Sequence, residues 1–122
     1  MKDHPHRRER FLRDPLPIRL GGIAANLARV ASFAAGSPSV PVVDTMLYES
    51  KFFIEWAAPT APIETAAALV ELQIAIAVWQ SRWSKDHANM DTRNSLIRFA
   101  REWSDRLLDL SGLLNEPSGV QI

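Results

Sequence analysis

Three histidines are the only side chains in this chain that ordinarily change charge near neutral pH, so they bound its acid–base chemistry. His4 and His6 lie two apart near the start and can share a divalent cation, but a specific metal site needs more ligands held in fixed geometry. His87 stands beside Lys85 and Asp86 in a polar turn, where a histidine is ordinarily solvated. The chain has no Glu-x-x-His, the motif with which helical bundles hold paired metals, and Glu64 and Glu71 are two helical turns apart instead of one. It has no cysteine, which removes disulfides, thiolate ligands and thiol nucleophiles. No catalytic residue, metal site or cofactor is expected. An enzyme would need a site made of Arg29, Glu49, Tyr48 or His87 converging in a cleft, and nothing in their spacing asks for this.

Two further features carry binding chemistry. Gly21-Gly22 lies in the first turns of an expected helix, where each glycine costs about 1 kcal/mol relative to alanine. No strand or Gly-rich phosphate motif surrounds the pair. With Ala24, Ala25, Ala28 and Ala31 nearby, close helix–helix approach is the expected reason, and a ligand pressed on that backbone is the alternative. The second feature is aromatic: Trp56, Trp79, Trp83 and Trp103, with Phe52, Phe53 and Phe99. Large core residues account for these in the ordinary case, and an exposed aromatic patch would anchor a partner.

The elements that must position these residues are helical. The 122 residues suit one domain, and 47% hydrophobic residues are enough for a core without staples. Residues 1–14 read as a flexible charged arm, with five basic residues against three acids and only Phe11 and Leu12 to bury. A first helix is expected over residues 17–35, with Leu20, Ile23, Leu27, Val30 and Ala34 as its buried stripe, Asn26 and Arg29 largely on the other side, and Gly36 as its stop. A second is expected over 41–57, capped by Ser39, with Val43, Leu47, Ser50, Ile54 and Ala57 on one face.

A third helix, over 62–85 and capped by Thr60 or Ala61, has two apolar stripes and should be the most central. One stripe is Ile63, Ala66, Val70, Ile74 and Ala77, and the other is Leu69, Leu72, Ile76, Trp79 and Trp83. A fourth, over 92–111, is capped by Asp91 and ended by Gly112, with Leu96, Ala100, Trp103, Leu107, Leu110 and Leu114 as its seam. On its solvated side Arg101 and Asp105, and Glu102 and Arg106, are spaced as pairs. Residues 115–122 read as a flexible tail. The expected fold is all-α, an up-down four-helix bundle over residues 15–114. A helical hairpin completed by a second chain is the runner-up.

Charge excludes some partners and hints at others. The formal net charge is zero, and the acids of the arm dilute its basic residues, so nucleic acid is not an expected partner. The longest charge-free run, residues 30–43, is broken by Gly36, Pro38 and Pro41, and the start has no apolar leader core. No membrane partner is expected, and the cytoplasm is the expected location. Residues 44–71 hold five acids against Lys51, whereas residues 82–101 hold five basic residues against two acids. Such complementary regions can pair within the fold or between two copies.

Four stretches carry a resemblance: Leu16-Pro17-Ile18-Arg19-Leu20-Gly21-Gly22-Ile23-Ala24-Ala25-Asn26-Leu27-Ala28-Arg29, Glu49-Ser50-Lys51-Phe52-Phe53-Ile54-Glu55-Trp56, Leu69-Val70-Glu71-Leu72-Gln73 and Leu110-Ser111-Gly112-Leu113-Leu114. Over about residues 15–114 the chain resembles a family of small uncharacterised cyanobacterial proteins. That resemblance implies a cytoplasmic protein of a photosynthetic cell, and brings no activity or site residue.

The expected function is a non-enzymatic protein-interaction or scaffold module, whose partner is another protein or a second copy of itself. Its candidate surface is Phe52, Phe53 and Trp56. The alternative is a small-molecule-binding bundle with an aromatic-lined pocket made by Gly21, Gly22, Trp79, Trp83 and Trp103.

Overall fold

The computed structural model describes residues 5–36 and 40–113, and these are all-helical. Five α-helices appear among them: α1 (Pro5–Arg13), α2 (Leu16–Ala35), α3 (Val40–Ala57), α4 (Ile63–Asp86) and α5 (Met90–Ser111). A 3-10 turn, Ala58–Thr60, joins α3 to α4. Ser39, Leu114 and the 115–122 tail lie outside the described residues.

The additional helix is α1, where a flexible arm was expected. Its charges face outward, but Phe11 stacks on Phe53 of α3, ring centroids 4.9 Å apart and nearly parallel. Arg7 reaches over the same ring and forms an ion pair with Glu49 at 2.6 Å. A segment with little to bury is thereby docked through Phe11, which also meets the Trp56 ring at 5.8 Å, and through Arg7.

Helix ends follow local chemistry. Pro15 stands at the start of α2 with its carbonyl accepting from Ile18 and Arg19, and Gly36 ends that helix. The start of α5 differs from expectation, because Asn89 takes the extended N-cap backbone and its side-chain oxygen accepts from the Thr92 N–H at 3.1 Å. Asp91 sits inside the first turn instead, where a carboxylate still favours the helix dipole. No side chain caps α4; Thr60 Oγ1 accepts from Arg19. Gly112 adopts φ 75°, the left-handed conformation that closes α5.

Cross-helix bonds give the register. Asn26 of α2 bonds Ser50 of α3, Gln73 of α4 bonds the Lys51 carbonyl of α3, Arg106 of α5 reaches Glu71 of α4, and Ser104 Oγ of α5 donates to the Ala24 carbonyl of α2. The expected partner of Arg106, Glu102, is passed over for this inter-helix contact at 3.5 Å. The closest association is α2 with α5, where Ala24, Ala31, Ala100 and Ser104 let the backbones approach. The most central helix is thus α2, which packs on both α3 and α5, and not α4 as its apolar sequence implied. Of the two apolar stripes of α4, only Leu69, Leu72, Ile76, Trp79 and Trp83 is buried.

Candidate interaction face

The expected aromatic surface is divided. Trp56 is buried, Phe53 is half-buried under Phe11, and Trp56 also lies 5.8 Å from the Phe11 ring. The chain's own α1 therefore occupies much of what Phe53 and Trp56 would offer a partner. Phe52 keeps one side against Trp56, 5.9 Å between ring centroids, and with the other packs edge-on against Tyr48 and lines an open groove between α3 and α4. That groove, about 500 Å³, is also lined by Lys51, Glu55, Gln73, Ile74 and Ala77. Lys51 Nζ lies 5.5 Å from the Tyr48 ring.

The five residues of the expected aromatic pocket are not brought together. Trp83 is fully buried and its Nε1–H donates to the Val40 carbonyl at 3.2 Å, at the end of the fold where α3 and α5 begin. Gly21 lies at the other end, where an added Cβ would stand 3.2 Å from Leu113 Cδ1 beyond α5. At Gly22 a Cβ would meet nothing within 4 Å, so close helix packing does not require that glycine. Trp79 packs on Phe99 beneath the Arg82 guanidinium, and Trp103 lies beneath Arg106.

Of the four candidates for an enzyme site, Arg29 and Glu49 are linked, though only through a third residue. Asn26 is 2% exposed; its amide donates to the Met46 carbonyl, Ser50 Oγ and Glu49, and its oxygen accepts from Arg29 at 2.8 Å. Glu49 closes the chain to Arg7. Arg29 and Glu49 are thus joined through Asn26, whereas Tyr48 lines the α3–α4 groove and His87 Nδ1–H donates to the Trp83 carbonyl. These groups satisfy one another, and the network ties α1, α2 and α3 together. Of the arm histidines, His6 is exposed on α1 and His4 lies outside the described residues. No three His, Asp or Glu side chains gather as a metal-ligand set among the described residues.

What sequence reasoning missed is the outer face of α4. Ile63 is 85% exposed, Ile74 64%, Val78 54% and Val70 47%. Periodicity marks a side of a helix as apolar, but it does not say whether another element covers it. In this fold α3 and α5 cover α4 from one side only. By length and composition α4 is also the one helix among the described residues that could cross a membrane. Leu69, Leu72, Ile76 and Trp83, however, are fully buried in the shared core, and a membrane passage would strip them from it.

Comparison of the chain with protein-family models, with curated proteins and with solved structures finds no match.

Proposed function

We propose that the chain is a protein-interaction module: an up-down four-helix bundle made by α2 to α5, strapped by α1, that docks a protein on the outer face of α4. One observation carries this reading. Four branched aliphatic side chains, Ile63, Val70, Ile74 and Val78, stand exposed in one row along a single helix. Single exposed apolar residues are ordinary, whereas a contiguous row rimmed by polar residues marks interaction surfaces. The rim here is Glu64, Glu71, Gln73 and Arg82. The groove beside Ile74 and Ala77 extends the same face toward Phe52.

The test is photo-crosslinking in the chain's own cells. A photoreactive amino acid in place of Ile74 should capture a protein, and the same amino acid in place of Asn94, exposed on α5, should not. If position 74 captures no more protein than position 94, the outer face of α4 is not a docking surface and the reading falls.

A further inference from the structure

We infer that the protein docked on α4 is a second copy of this chain, its α4 running antiparallel across a two-fold axis at Ile74. The inference rests on the reading of α4 given above and adds the partner.

The pattern of the face is its own reverse. At about 100° per residue, Ala67, Val70, Ile74, Val78 and Ser81 all point within about 40° of one direction, and all five are exposed. Val70 and Val78 stand four residues either side of Ile74, and Ala67 and Ser81 seven residues either side. A two-fold contact demands a patch that complements itself under reversal. Set antiparallel about Ile74, the row places Ile74 on its twin, Val70 on the partner's Val78, and Ala67 on the partner's Ser81. The small pair allows close approach of the backbones. One step further out, Ile63 meets the aliphatic stem of the partner's Lys85, whose head stays in water.

Charge selects the antiparallel direction. Glu64 lies on the flank of this face near the start of α4, and Arg82 lies on the same flank near its end, with Lys85 beside it. Stacking on Trp79, 4.3 Å from the ring centroid, holds the Arg82 guanidinium at that edge. In the antiparallel pair the Glu64 of each copy faces the partner's Arg82 and Lys85 at both ends. A parallel pair would instead put Glu64 and Arg82 of the two copies on opposite edges of the contact, where neither meets an opposite charge at its own level. A contact of one helix on one helix is smaller than a standard interface of roughly 1,200–2,000 Å², so association in the micromolar range is expected.

The chain has no cysteine, so a single introduced thiol reports the register. Helices packed at about 8–10 Å bring the facing α-carbons at the axis to about 4–5 Å, close to the span of a disulfide. Ile74→Cys in the full chain should therefore oxidise to a covalent dimer at least about tenfold faster than Ala67→Cys, whose twins would lie about 21 Å apart. In sedimentation of the cysteine-free chain, Glu64→Lys should weaken the dimer, and Glu64→Lys with both Arg82→Glu and Lys85→Glu should restore it. Equal oxidation of the two cysteine variants, or a monomer up to hundreds of micromolar, overturns the inference. If Ile74 then photo-crosslinks to a different protein, the docking reading survives and only the partner is wrong; if it crosslinks to nothing, both fall.

Discussion

Asn26 of α2 and Ser50 of α3 meet in the seam between their helices, the Asn26 amide donating to Ser50 Oγ at 3.1 Å while that hydroxyl donates to the Met46 carbonyl at 2.8 Å. Both residues are buried, and the Asn26 oxygen is taken by Arg29. A buried amide is tolerable only when its donors and acceptor are matched, and here they are. The pair therefore fixes how α2 slides against α3, a restraint that the apolar contacts around it do not supply.

Replacing Asn26 tests this. Asn26→Leu removes the bonds but leaves Met46 satisfied by Ser50, so the loss should be about 1–2 kcal/mol in urea unfolding. Asn26→Asp should cost more than Asn26→Leu at neutral pH, because a second carboxylate would stand against Glu49 where an amide N–H now donates, although Arg29 stays beside it. A loss no larger than that of Asn26→Leu would show that Arg29 offsets the second carboxylate.

The glycines of α2 separate two explanations that sequence alone left together. Gly22→Ala meets nothing and should stabilise by about 0.5–1 kcal/mol, since it restricts the unfolded chain at no native cost. Gly21→Ala gains less, because Leu113 Cδ1 must shift. Gly112→Ala should destabilise by about 1 kcal/mol, because φ 75° strains a residue with a Cβ. Thermal unfolding of the three variants checks the order.

Much of this fold could be read from residue spacing. The buried stripes of α2 and α3 and the stops at Gly36 and Gly112 stand where period and glycine chemistry put them. Ser50, a hydroxyl within an apolar stripe, was the one sign that a polar partner lay opposite, but nothing named that partner as Asn26. Helix α1 was not legible, since Phe11 and Arg7 become informative only once Phe53 and Glu49 are seen beside them. The two apolar sides of α4 were legible as apolar; which one the fold covers depends on where α3 and α5 lie.

Docking of α1 depends on few contacts, so it should yield to one change. Phe11→Ala removes the stacked ring from Phe53 and the tilted contact with Trp56. Amide hydrogen exchange over residues 5–13 should then approach unprotected rates while α2 and α5 keep their protection. Trp56, the tryptophan nearest to Phe11, should shift its fluorescence toward the red. Retained protection in α1 would mean that contacts other than the Phe11 ring hold the helix.

Ile74→Glu separates folding from association. The side chain is 64% exposed in the chain, so the substitution should change unfolding free energy by no more than about 0.5 kcal/mol. At a two-fold axis the same change sets two carboxylates against each other within an apolar contact, which neither water nor a counter-charge relieves. Sedimentation should therefore give a monomer at concentrations where the unaltered chain dimerises, while unfolding curves taken at concentrations too low for dimerisation coincide. Val42→Glu, on α3 away from this face, supplies the comparison: it adds the same charge to the chain and should leave the dimer intact. If both variants dimerise alike, the row on α4 is not what joins the copies.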